Sequence, residues 1–197
     1  MLKRSLLAAA LAAAASPAAL SAQVDAADAA WLVEALDIGP GSSVAEIGAG
    51  NGQLSIALAQ EVGTGGRVFA TELGDRALDR LTRQITMTGL PNVTIVSAHP
   101  ERTNLPPACC DAIFMRFVYQ HFTNAEAMNA SLLESLRPGG RLGVIELTPP
   151  EEESADSVPQ IGVSPDTLRA QLTEAGFEVV SVEERPGRLV YLVARKP

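Results

Sequence analysis

Read for apolar and polar positions, the chain alternates two periods. Short apolar runs of strand length recur at Ser43 to Ile47, Arg67 to Thr71, Val93 to Val96, Asp111 to Met115 and Arg141 to Leu147. Between them lie segments whose apolar residues recur at helical spacing. These are Gly52 to Glu61, with Leu54, Ala57 and Leu58 inward, then Arg76 to Met87 and Glu126 to Leu136. An earlier helix is expected over Ala26 to Leu36, capped by Asp25 and ended by Gly39, Pro40 and Gly41. Its Trp31 reads as a core anchor. Ser164-Pro165-Asp166 starts a last helix, which Gly176 closes. Phe177 to Glu183 and Arg188 to Ala194 read as two strands around a Pro186-Gly187 turn. Ala98 to Cys110 and the acidic stretch Pro149 to Gln160 read as loops. Alternating strands and helices predict an α/β fold: a doubly wound, mostly parallel sheet with helices on both faces. The terminal hairpin requires one antiparallel strand.

The first residues follow another pattern. Lys3 and Arg4 precede an apolar run of Leu and Ala from Leu6 to Ala15, broken by Ser16 and Pro17. Small residues follow at Ala19, Ser21 and Ala22. A basic start, a short apolar run and a small-residue site make residues 1–22 a secretory signal peptide, cleaved after Ser21 or Ala22. Residues 23–197 are then one exported domain, periplasmic or secreted. The run is too short for a stable membrane span. The alternative is an uncleaved Ala-rich helix on a cytoplasmic protein.

The chain has 197 residues, 47% of them hydrophobic, enough for a packed core. Its formal net charge of -8, with no Lys/Arg-rich run, argues against a nucleic-acid partner. Adjacent Cys109 and Cys110 are not a disulfide framework. They read as two small residues ahead of a strand, with a strained bridge or a soft-metal site as alternatives.

The chemistry begins at Val44-Ala45-Glu46-Ile47-Gly48-Ala49-Gly50-Asn51-Gly52. An apolar strand enters three alternating glycines, and a helix starts at the last. Bare backbone allows positive φ and close approach of a ligand, and the helix N-terminus favours negative charge. The dinucleotide fingerprint would need a third glycine where Gln53 stands. No Walker-type Lys-Ser/Thr follows either. Glu72 ends the next strand, where a carboxylate can accept hydrogen bonds from both ribose hydroxyls.

With these residues in hand, the chain resembles the class I S-adenosylmethionine (SAM)-dependent methyltransferases. Glu46-x-Gly48-x-Gly50-x-Gly52 looks like the family's first motif and Glu72 like its acidic ribose residue. Leu136-Arg137-Pro138-Gly139-Gly140-Arg141-Leu142 looks like the motif before its fifth strand. The resemblance implies a Rossmann-like seven-stranded sheet with an antiparallel last strand, and SAM as cofactor. Glu101, ahead of Leu105-Pro106, is the implied adenine residue. Met115 to Phe122 corresponds to a segment facing cofactor and substrate, so Arg116 is a candidate cofactor residue. In the same segment Tyr119 and His121 are candidate catalytic residues, His121 as a base.

A sulfonium methyl is already activated, so positioning carries much of the acceleration. The Asn-Pro-Pro-aromatic signature of nucleic-acid amino-methylating enzymes is missing from the sequence, which favours a small-molecule acceptor. An export signal sits uneasily with a cytosolic cofactor. The alternatives are therefore a catalytically silent exported domain that binds SAM or another metabolite, and a nicotinamide oxidoreductase, which Gln53 disfavours.

Overall fold

The computed structural model describes residues 17–150 and 161–197. The proposed signal segment through residue 16 and the acidic stretch from 151 to 160 lie outside the described residues. The strands are β1 (Ser43–Ile47), β2 (Arg67–Glu72), β3 (Val93–Ser97), β4 (Cys110–Arg116), β5 (Leu136–Leu147), β6 (Glu178–Arg185) and β7 (Leu189–Arg195). The helices are α1 (Pro17–Ala35), α2 (Gln53–Val62), α3 (Asp75–Thr88), α4 (Ala125–Ser135) and α5 (Pro165–Glu174). All seven strands form one sheet in the order β3-β2-β1-β4-β5-β7-β6. Parallel pairing runs from β3 through β5, and β7 is antiparallel to both β5 and β6. This is the expected mixed sheet, doubly wound and Rossmann-like.

The two-residue period of the strands sorts the core into two faces. Val44, Val68, Ala112, Phe114, Ile145 and Val193 pack against Leu32 of α1, Leu36 just past its end, and Leu54, Leu58 and Val62 of α2. Ala70 packs on that same side against Leu81 and Ile85 of α3. Ala45, Ile47, Ile113, Met115, Leu142 and Val144 pack against Leu132 of α4 and Leu168 and Leu172 of α5. Central parallel strands covered on both faces lose their polar alternation, which explains their continuous apolar runs. The strand order reverses between β1 and β4, so the sheet opens a crevice at their carboxyl ends.

Two elements are longer than their sequence signals. Helix α1 is already formed at Pro17, ahead of the expected start at Ala26, because the Ala-rich run ahead of Ala26 is itself strongly helix-forming. Asp25, expected as its cap, therefore lies inside the helix. Strand β5 begins at Leu136, not Arg141. Cys110 pairs with Leu136 and Ala112 with Arg141, so Arg137 to Gly140 bulge out between two registers. The bulge stays on the sheet because Gly139 N–H donates to the Lys196 carbonyl at 2.9 Å and Lys196 N–H to the Gly140 carbonyl at 2.9 Å.

Candidate functional site

The turn after β1 lies at the crevice. Gly48, Gly50 and Gly52 all have positive φ, at 70°, 57° and 78°, a region side chains rarely adopt. A Cβ on Gly48 would meet Val118 at 2.6 Å, and one on Gly52 would meet Leu81 at 2.8 Å. Gly50 has nothing within 4 Å of that position. Of the three expected ligand glycines, Gly50 alone opens outward. Gly48 admits the loop after β4, and Gly52 admits α3.

The neighbouring strand supplies the carboxylate. Glu72 Oε2 accepts from Gly50 N–H at 2.6 Å, and Oε1 from Leu73 N–H at 2.8 Å. Ala49 N–H donates to the Thr71 carbonyl at 2.8 Å, tying the same turn to β2. The glycine turn and Glu72, 22 residues apart in sequence, form one unit at the crevice.

Beneath the turn, Glu46 is 4% exposed and accepts a short hydrogen bond from Ser55 Oγ of α2. Burial pushes its carboxyl up to about 8, against the opposing pull of Ser55. Glu46 is thus a buried brace between β1 and α2, and it does not face the crevice.

A cavity of about 520 Å³ adjoins the turn. Its walls are Ile47, Gly48, Glu72 and Leu73 on one side, Ala98, His99 and Pro100 after β3, and Val118, His121, Phe122, Thr123 and Met128 after β4. His121 is in place as expected. Tyr119 is not: its hydroxyl donates to Gln171 Oε1 at 3.0 Å and accepts from Asn129 Nδ2 at 2.7 Å, in the core between α4 and α5. Burial drives its phenol pKa upward, and its expected catalytic role is corrected to a structural one. Glu101 is exposed and absent from the cavity wall; its carboxylate reaches Asn124 Nδ2 at 3.4 Å. Arg116 is corrected too. Its Nη1 meets Asp25 at 2.7 Å and Asp28 at 2.8 Å, both on α1. Burial would lower the Arg116 pKa, but those two carboxylates outweigh it and raise it.

Sequence reasoning missed Asp28 and Glu146. Asp28 is 3% exposed and also accepts from Tyr191 Oη at 2.6 Å. Burial, helped by Asp28, pushes the Tyr191 phenol up to about 12. A carboxylate on the apolar stripe of a helix, four residues before Leu32, was the available signal. Glu146 is fully buried at the end of β5, and its Oε2 accepts from Gln120 N–H at 3.2 Å. It braces the 3-10 turn that carries His121. Burial raises its pKa, while the backbone donors and the nearby His121 pull it down. An acidic residue inside an apolar strand was the signal there. Among the described residues, no group of three or more His, Cys, Asp or Glu side chains is placed to hold a metal.

A seven-stranded sheet with reversed β7, a bare glycine at its switch point and a carboxylate from β2 match the arrangement expected from the resemblance to class I SAM-dependent methyltransferases. A family model described as a methyltransferase domain matches residues 44–140, from β1 to the Pro-Gly-Gly bulge. The ubiquinone/menaquinone biosynthesis C-methyltransferase UbiE of Shewanella pealeana is 27% identical over 192 residues, covering 82% of this chain and 76% of its own. A SAM-dependent methyltransferase from Aquifex aeolicus superposes with TM-score 0.73 at 21% identity, covering 89% of this chain and 97% of its own. A possible exported protein from Bordetella parapertussis shares the fold at TM-score 0.68 and 23% identity, covering 92% and 70%. The chain is a SAM-dependent methyltransferase, with SAM its cofactor.

Proposed function

We propose that the chain transfers the methyl group of SAM to a small, largely apolar acceptor seated in the cavity beside the glycine turn. The observation that carries this reading is the 2.6 Å contact between Gly50 N–H and Glu72 at the edge of that cavity. Glu72 would take the ribose hydroxyls, and the open face of Gly50 would admit the methionyl end. SAM supplies an electrophilic methyl on a positive sulfur. The chain's own work is then positioning and exclusion of water. Ile47, Val118, Phe122 and Met128 give the acceptor an apolar seat. Among the described residues no Lys or Arg borders the cavity, so they offer a phosphate or carboxylate acceptor no cation there. His121 takes the acceptor's proton if the nucleophile carries one, and Glu146 braces the turn that presents it.

Gly50→Val and Glu72→Ala are expected to abolish thermal stabilisation by SAM. A β-branched residue at φ 57° is strained, and its side chain would enter the open ligand face. His121→Ala is expected to lower kcat by about 100-fold, the scale of general-base catalysis, with SAM affinity unchanged. Normal SAM binding by both loop variants would remove the proposed site.

We also propose export, with cleavage after Ser21 or Ala22. The basic-apolar-small pattern supports it. Mass spectrometry of the periplasmic fraction is expected to find a chain starting at Ala22 or Gln23; a full-length cytoplasmic product would refute export.

A further inference from the structure

The chain has two histidines, and both border the same cavity. Only His121 has a part in the reading above. His99 sits at the opposite end, after β3, on a wall otherwise made by Leu73, Ala98 and Pro100.

The backbone at His99 is held by hydrogen bonds on both sides of the turn. Its N–H donates to the Arg102 carbonyl at 3.0 Å, and Arg102 N–H returns to the His99 carbonyl at 3.3 Å. Pro100 occupies the second position of this four-residue turn, where its fixed φ is favoured. The preceding residue is anchored to the carboxylate's own strand end, since Ala98 N–H donates to the Glu72 carbonyl at 2.9 Å. Asn104 Nδ2 ties the loop again, to the Ser97 carbonyl at 2.9 Å.

The imidazole is also chemically committed. His99 Nδ1 accepts from Glu101 N–H at 3.2 Å. In a neutral imidazole the nitrogen that accepts carries no proton, so the proton is on Nε2. His99, a residue of the cavity wall, is therefore left with one free donor, Nε2–H, and no free ring acceptor.

With the ribose on Glu72, the cavity leaves two sides for the rest of the cofactor. The methyl end would take the side of Gly48 and the loop after β4, which carries the proposed base His121. The purine would then take the side of Leu73 and the loop after β3. Leu73 is a large apolar residue left 52% exposed there, a surface suited to a flat ring. Glu101, which would accept from an exocyclic amine, is turned to Asn124. A fixed donor cannot pair with an amine, which is itself a donor; it needs an unprotonated ring nitrogen.

Resting on the SAM reading above, we infer that His99 is a specificity residue that recognises the cofactor's purine by donating Nε2–H to one ring nitrogen. The two imidazoles thus divide the cavity, His99 at the base end and His121 at the methyl end. The base is read by a side-chain donor and not by a carboxylate acceptor.

Calorimetric titration of the full chain with S-adenosylhomocysteine and its 1-deaza, 3-deaza and 7-deaza analogues tests this. Each analogue replaces one ring nitrogen with C–H. One of the three is expected to bind the wild type about tenfold more weakly than the parent, because it leaves a committed donor unpaired. In His99→Ala the parent and that analogue should bind within about twofold of one another. His99→Gln, whose amide keeps a donor, should retain part of the discrimination. If the wild type binds the parent and all three analogues alike, or His99→Ala discriminates as before, the inference falls and the cofactor site stands. If the wild type does not bind the parent at all, the SAM reading falls and this inference with it.

Discussion

At the scale of single residues, four carboxylates do different work. Glu72 is held by backbone donors at the crevice. Asp28 clamps Arg116 and Tyr191, and Glu146 braces the His121 turn. Glu46 is the one whose titration has a clear sign. Its carboxyl is raised from 4.5 to about 8 in the fold, so the folded state holds a proton that the unfolded state releases. Stability from this group is present in full below the unfolded value and is lost as pH rises through the folded one. The melting temperature of the wild type is expected to carry a declining component between about pH 5 and pH 8. Glu46→Gln cannot ionise and keeps an acceptor for Ser55, so its melting temperature should fall less over that window. Parallel curves for the two proteins would refute the assignment. Glu46 was visible in the sequence as part of the glycine motif, but its burial was not. A strand end reads the same whether its side chain meets a helix or a ligand.

Among the elements, β5 shows how a turn signal and a strand coexist. Pro138-Gly139-Gly140 predicts a stop between α4 and the strand, and the strand nevertheless starts at Leu136. The reason is long-range: residues 137–140 leave the β4 register and take new partners at Lys196. Gly140 is buried in this arrangement, and a Cβ there would lie 2.9 Å from the Arg137 carbonyl and 3.0 Å from that of Asp111. Both obstacles are backbone. Gly140→Ala is therefore expected to cost about 2 kcal/mol, the usual scale of overpacking, read as a lower urea midpoint. An unchanged midpoint would mean that the bulge relaxes freely. The remaining strands and helices match the apolar spacing within a few residues, because their faces are buried on both sides of one sheet.

For the whole molecule, α1 decides where the domain begins. Asp25 and Asp28 reach the end of β4 and the side of β7, so the helix is part of the structure well before Ala29 enters the core. A chain of residues 23–197 keeps this clamp and is expected to fold and bind SAM as the full chain does. A chain of residues 30–197 leaves Arg116 and Tyr191 without their acidic partners. Breaking such a buried pair costs about 3–5 kcal/mol, and that chain is expected to melt far lower in calorimetry; equal melting of the two would remove the clamp from the account. By itself the sequence determined the α/β class, the mixed seven-stranded sheet, the glycine turn and the pairing of that turn with Glu72, because periodicity, glycine spacing and strand-end position are local properties that burial then acts upon. Which glycine opens outward, that Tyr119 and Arg116 turn inward, that His99 and not Glu101 walls the cavity, and that Asp28 and Glu146 matter at all were decided only by tertiary structure. Each depends on which remote side chain fills the space opposite, and no local pattern encodes that.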